Sequence, residues 1–196
     1  MFNTSLLKPL ALLLLATASL PAQAAWYLDN ESSRLSFVTT KNTDVSEVQR
    51  FLVLHGKVDE KGAAQLEVEL ESINSGIPLR DERMRNDLFQ IKTYPDAQIN
   101  AQINLQPIND LATGAQLELR LPLSVTLQGK TQTYNAELLA TRLDDRRFQV
   151  VTLEPLVLHA KDFDLLTGVE TLRKAAGLDA ISLSVPVGAV LIFTAR

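Results

Sequence analysis

The sequence predicts an all-β fold, a coiled antiparallel sheet closed into a barrel. Two observations carry this. Apolar residues recur at every second position through most of the chain, which places one face of each segment inward and the other toward water. Two of these runs, 117–127 and 181–193, also exceed the about five or six residues of an ordinary strand. Long strands in an all-β chain fit a sheet that closes on itself and so leaves no exposed edge.

The first 24 residues stand apart from the pattern. Lys8 gives a positive start, Leu10 to Leu15 and the alanines after them form a short apolar run, and Pro21 precedes the small-x-small site Ala22-Gln23-Ala24. This is the layout of a cleaved secretory signal peptide. The run is shorter than the roughly 20 apolar residues that span a bilayer. No later stretch is apolar enough to span, and no cysteine follows that would carry a lipid anchor. The expectation is a periplasmic protein with a signal peptide at 1–24 and one barrel domain at 25–196.

Weaker strands are expected at Trp26 to Asp29, Arg34 to Lys41 and Val48 to Val58. Leu66, Val68 and Leu70 alternate with Gln65, Glu67, Glu69 and Glu71 in the next. The charged segment 80–89 reads as a short helix in which Met84 and Leu88, four apart, share the apolar face. Ile99, Ala101, Ile103 and Leu105 then alternate with polar residues, followed by Leu117 to Leu127, Thr133 to Leu143 and Arg147 to His159. Turns fall at Asp59–Gly62, Gln128–Lys130 and Asp144-Asp145. A second helix is expected from Thr167 to Gly177, with Thr167 and Glu170 at capping-box spacing and Gly177 at the C-terminal cap. Pro122 and Pro186 each remove a ladder donor and predict a bulge or bend.

Composition narrows the chemistry. The net charge is −4 for the whole chain and −5 without Lys8. That acidic balance argues against nucleic acid, which needs a basic footprint, and against simple docking on anionic lipid. With no cysteine, thiol catalysis, disulfides and cysteine metal sites are absent. His55 and His159 are the only histidines and show no metal-ligand spacing. There is no G-x-S-x-G motif, and no serine is tied by sequence to the His159/Asp162 pair. No catalytic residue and no metal site is therefore assigned, and no cofactor is expected.

The inward face is rich in Leu, Ile and Val. A barrel of about eight strands either fills itself with side chains or holds one small ligand. Burial of a lipid tail is worth roughly 0.8 kcal/mol per methylene, so ten methylenes offer about 8 kcal/mol before the losses of association. A long apolar molecule can thus be held with few polar contacts.

The motifs resemble those of the YceI-like family, lipid- and polyisoprenoid-binding bacterial proteins. The resemblance covers nearly the whole mature chain. Trp26-Tyr27-Leu28-Asp29, then Ser33, Leu35 and Phe37, matches the family's opening. Phe51 and Gly56 follow, with Arg50 where the family has glycine. Ser72-Ile73, Arg80-Asp81, Leu88-Phe89 and Tyr94-Pro95 form the most specific match, with Arg83-Met84 where the family tends to have His-Leu. Leu123, Val125, Leu127 and Gly129 match in part, and Lys161-Asp162-Phe163 precedes Asp164, where the family has glycine.

The resemblance implies an eight-stranded antiparallel lipocalin-like barrel around a hydrophobic tunnel. It implies as ligand an isoprenoid quinone, another polyisoprenoid or a fatty-acid derivative, bound without metal. Phe37, Phe51, Met84, Leu88, Phe89, Tyr94 and Phe163 become the pocket-lining candidates, joined by Leu121 as an inward position of the 117–127 run. Plain core packing is the alternative role for each. Trp26 is expected to plug one end, Asp81 to cap the short helix and Arg80 to pair with a carboxylate. Three functions stay open: a carrier or store, a filled barrel that interacts with other proteins, and a lipid-acting enzyme. The sequence leaves a homodimer open.

Overall fold

The computed structural model describes residues 25–196, so the signal-peptide segment lies outside the described residues. The strands are β1 (Trp26–Leu28), β2 (Arg34–Lys41), β3 (Val45–Phe51), β4 (Leu54–Val58), β5 (Ala63–Glu69), β6 (Ile73–Asn74), β7 (Asp96–Gln102), β8 (Gln116–Leu127), β9 (Lys130–Arg142), β10 (Arg147–Thr152), β11 (Leu156–His159) and β12 (Ser184–Ala195). The ring β1-β4-β5-β7-β8-β9-β10-β12 closes where β12 pairs with β1, giving an eight-stranded antiparallel barrel. The remaining strands extend four of the eight staves. β2 continues β1, β3 pairs with β2 and continues into β4, β6 pairs with β3, and β11 pairs with β12 beyond β10.

Two strands expected to be continuous are broken. The run 48–58 splits at Leu52-Val53, and 147–159 splits at 153–155. At the second break Leu153 N–H donates to Glu137 O at 2.8 Å, and at the first the freed N–H groups find side-chain partners. Ser72 Oγ accepts from the N–H of Leu52 and of Val53, at 3.1 and 3.0 Å, and Asn30 Oδ1 accepts from Leu54 N–H at 2.7 Å. Ser33, itself buried, accepts from Ile192 N–H at 3.0 Å and ties the β1/β2 break to β12. A buried backbone donor without a partner is costly, so these polar residues set where the staves bend.

The proline expectation is corrected by the ladders. β8 and β9 keep one register from Gln116↔Thr141 to Leu127↔Lys130, straight through Pro122. On its other side β8 pairs with β7 only over Ser124–Thr126, so Pro122 lies beyond the end of that ladder. Pro186 stays in register with Val157, and β12 runs unbroken for 12 residues. Bends fall in the partner strands instead. The β8–β9 turn matches its prediction: Gln128 and Gly129 have φ of 51° and 69°, the two positive φ values of the tight hairpin turn that follows strand twist.

One end of the barrel is covered by helices. α1 (Pro78–Arg83) runs into a wider turn at Met84–Leu88, where Phe89 N–H donates to Met84 O at 2.8 Å, five residues back. Met84 and Leu88 are both buried, as their spacing predicts. After the short α2 (Gln106–Asn109) and a tight turn at Ala160–Phe163, α3 (Leu166–Ala175) packs on the Met84–Leu88 turn. The capping box does not form. Leu165 precedes α3 without a side-chain cap, and Glu170 turns instead to Arg173 at 2.7 Å. Asp81 does not cap α1 either; it accepts from Ser75 N–H at 2.8 Å and from Ser75 Oγ, fixing the turn before the helix.

Candidate functional site

The inward faces of the staves enclose a cavity of about 610 Å³. This lies inside the usual range of roughly 300–1,000 Å³ for small-molecule sites. The wall is built by alternation. β8 contributes Leu119, Leu121, Leu123, Val125 and Leu127, and β12 contributes Val185, Val187, Ala189, Leu191 and Phe193. Because side chains alternate along a strand, each such run follows from sequence period once one member is inward.

Most candidates from the sequence meet at this cavity. Phe37, Phe51, Met84, Leu88, Phe89, Leu121 and Phe163 all line it. Phe37 stacks on Phe51 with centroids 5.4 Å apart, and Phe51 meets Phe89 at 5.8 Å. Tyr94 stands outside the cavity wall. Its ring packs on the β8–β9 turn, where a side chain at Gly129 would come within 3.2 Å of it. The Tyr-Pro pair therefore braces a hairpin, and Pro95 O accepts from Leu70 N–H at 2.9 Å.

The two ends of the cavity differ. At one end Trp26, half-buried, lines the cavity edge-on to Phe148 with centroids 4.8 Å apart, and buried Ile108 of α2 also lines it. The register places Lys41 at the far end of the β1/β2 stave, beneath the helices. There Ile77 and Leu79 line the cavity while standing more than half exposed or at half exposure, 58 and 50 % for Leu79 and Ile77. That combination marks the mouth. Arg83 Nη1 donates to Ala175 O at 3.1 Å and straps α1 to the end of α3 across it.

On the polar side of this mouth, Arg80 finds the carboxylate partner expected of it, and sequence reading missed Lys41, Glu47 and Gln49. Lys41 lies 2.7 Å from Glu47, and Arg80 pairs with the same carboxylate. Arg80 Nη2 also donates to Ser75 O at 2.6 Å. Hydrogen bonds from Lys41 first, and then Arg80, hold the Glu47 carboxyl below its ordinary range despite some burial. Gln49 is only 3 % exposed and donates to Thr39 Oγ1 at 2.9 Å. The available signal was the phase of β3. Counting back by twos from Phe51 puts Gln49 and Glu47 inward and leaves Val48 outside, an inverted alternation.

The histidines do not converge. His55 is exposed on the outer surface, 4.0 Å from Glu69. His159 Nδ1 shares a hydrogen bond with Ser184 Oγ at 3.0 Å at the exposed edge of β11 and borders the cavity. Among the described residues, no carboxylate lies within 4.0 Å of His159, and no group of three metal-ligating side chains comes together.

A closed antiparallel barrel with an apolar, hollow interior and helices over one end is the architecture of an internal-cavity barrel. The comparisons with known proteins name the family. The YceI-like domain model matches residues 26–192, and the chain belongs to that family. A polyisoprenoid-binding domain from Saccharophagus degradans, implicated in plant cell wall breakdown, is 38 % identical with a TM-score of 0.87, over 88 % of this chain and 99 % of that one. BcnA of Burkholderia cenocepacia shares the fold at 19 % identity and TM-score 0.64, covering 84 % and 98 % of the two chains. The YceI protein of Campylobacter jejuni does so at 15 % identity and 0.51, covering 77 % and 89 %. A search of curated proteins returned no match. No helix of the described residues is long and apolar enough to cross a membrane.

Proposed function

We propose that the protein is a periplasmic carrier or store for an amphiphile with a long isoprenoid or acyl tail, and that it acts by binding rather than catalysis. The observation that carries this reading is the cavity of about 610 Å³, walled mainly by Leu, Ile, Val, Phe and Ala, with Ile77 and Leu79 of the helical end standing half exposed on it. The polyisoprenoid-binding description of the Saccharophagus domain, 38 % identical over its whole length, supports the same ligand class. The sequence signature at 1–24 supports export. Affinity would come from tail burial, roughly 0.8 kcal/mol per methylene, with the polar mouth fixing orientation.

The test is native purification from a periplasmic extract, organic extraction and mass spectrometry of what is released. A stoichiometric isoprenoid or acyl lipid is expected. A protein that comes out empty, and that takes up neither quinones nor fatty acids when offered, would overturn the reading. Leu121→Arg places a charge in the mid-wall of the cavity, where an unpaired charge excludes an apolar chain. A folded Leu121→Arg protein is expected to retain no lipid.

A further inference from the structure

The outside of the barrel has two unlike faces. On β4, β5 and β7 the outward rows are polar: His55, Glu67 and Gln98 stand opposite one another, as do Lys57, Gln65 and Asn100. On β11, β12, β2 and β3 the outward face is largely apolar. Leu35 and Phe37 are buried, as are Gln49 and Phe51, so alternation turns Arg34, Ser36 and Val38 of β2 outward, with Val48 and Arg50 of β3. Register then lines up Val157, Pro186, Val38 and Val48. Val157 pairs with Pro186 and Val38 with Val48, and Pro186 comes opposite Val38 one step beyond Val187↔Phe37. The row crosses three strand spacings, about 14 Å. A second row holds Val190, Arg34 and, one step past Leu35↔Phe51, Leu52. Val48 is 71 % exposed, and Leu52, Val157 and Val190 are exposed with it. Contiguous apolar surface of this kind marks an interaction site.

Two features say what covers it. The first is charge. Between the rows lie Gly188, Ser36 and Arg50. With Arg34 that makes two arginines, and the outward positions of these four strands hold no carboxylate. Arg34 Nη1 donates to backbone oxygens, Glu31 O at 2.7 Å and Ser33 O at 2.6 Å. Neither arginine belongs to an ion pair among the described residues. Glu31 and Glu154 stand in the turns at the margin. The second feature is position. Val48 lies between Glu47 and Gln49 of the polar mouth, so the apolar face ends where the cavity opens beside Ile77 and Leu79.

Resting on the carrier reading above, we infer that this face docks on an anionic phospholipid bilayer, with Arg34 and Arg50 at the headgroups and the valine row in the interface. Apolar insertion and attraction to anionic lipid add together in such binding. The acidic net charge speaks against simple docking for the chain as a whole, but Glu67 and Glu69 of that charge stand on the opposite face, beside His55. Docked this way, a tail passes between bilayer and cavity with little contact with water. A second copy fits the face less well. Two such faces in contact would bring four arginines together out of water with no carboxylate between them, and like charges so placed repel.

Co-sedimentation of the delipidated mature chain with vesicles tests this. One set is equal parts phosphatidylglycerol and phosphatidylcholine, the other phosphatidylcholine alone. Wild type is expected to bind the anionic set more tightly. Val48→Ser should weaken that binding about tenfold, the worth of one valine side chain. Arg50→Gln should weaken it about fivefold on the anionic set and not on phosphatidylcholine. Lys57→Gln makes the same charge change on the opposite face and should leave binding unchanged. All three positions are outward and exposed, and an unchanged urea midpoint shows that each variant is folded. No binding by wild type, no effect of Val48→Ser, or equal losses for Lys57→Gln and Arg50→Gln would overturn the docking face. A dimer in sedimentation velocity that Val48→Ser dissociates would give the face to a second copy and overturn it too. Vesicle binding does not need a filled cavity. A protein that binds vesicles but retains no lipid therefore overturns the carrier reading alone, and one that retains lipid but ignores vesicles overturns the docking face alone.

Discussion

At Asp164 the backbone takes a φ of 57°, the left-handed region that glycine reaches without strain. Its position directly follows Phe163, whose side chain is 1 % exposed and stacks on Tyr134 at 6.5 Å. The turn that seats Phe163 under the helices demands the left-handed step, and the Asp164–Lys130 pair at 2.9 Å accompanies it. We expect Phe163→Ala to cost about 3–5 kcal/mol, the usual penalty for deleting a buried aromatic, read as a lowered midpoint in urea denaturation. Charge acts differently at the surface. Arg173, ahead of Lys174, pulls the Glu170 carboxyl from its usual 4.5 down to about 2. A carboxylate lowered on folding stabilises the native state above its unfolded value and loses that contribution as the pH falls through its folded one. Glu170→Gln should therefore melt below wild type at pH 7, with the difference shrinking between pH 4.5 and pH 2. A difference that persists unchanged at pH 2 would rule out the ion pair as its source.

The helical cap shows what an element contributes beyond its residues. α3 crosses the Met84–Leu88 turn at Gly168, where a Cβ would stand 2.8 Å from Asp87 O and 2.9 Å from Leu88 Cα. Those are backbone atoms, so nothing flexible can give way. The steric penalty of about 1–3 kcal/mol exceeds the roughly 1 kcal/mol that alanine offers over glycine in a helix. Gly168→Ala is expected to be destabilising, and chemical denaturation would show it. A gain in stability would mean that α3 moves freely over the turn. On this scale the sequence was legible where spacing rules apply. Met84 and Leu88 were placed on one buried face by being four apart, and the strands of 117–127 and 181–193 by period two. It was illegible where a side chain chose between partners. The spacing of Thr167 and Glu170 suggested a reciprocal cap, but two cations within one turn offered Glu170 a stronger partner. Likewise the break at Leu52 depends on hydrogen bonds that Asn30 and Ser72, far away in sequence, accept from the backbone there, and at the second break Leu153 N–H turns to Glu137 O of β9.

The whole barrel sets a limit on how its cavity can be kept. Alternation told which residues face inward, and so revealed most of the wall, but whether a barrel is filled or hollow depends on how far its staves stand apart. That distance follows from strand tilt and shear, which no single segment encodes. The polar mouth was hidden for a related reason: Lys41, Glu47, Gln49 and Arg80 come from three segments that only the closed ring brings together. A hollow apolar interior also forfeits the contacts that a filled core would make, because lining atoms lack neighbours on one side. A bound chain restores them and binds only the folded state, so it must stabilise the protein by mass action. At a free ligand concentration a hundredfold above Kd the gain is about 2.7 kcal/mol. For a domain of this size each kcal/mol moves the melting temperature by about 2–4 °C, so saturation should raise it by about 5–10 °C. Differential scanning calorimetry of the delipidated protein, alone and with added hexadecanol, measures this directly. The rise should continue with the logarithm of ligand concentration after the sites are full, since only the folded state binds. A melting temperature indifferent to ligand would mean that the cavity gains nothing from being occupied.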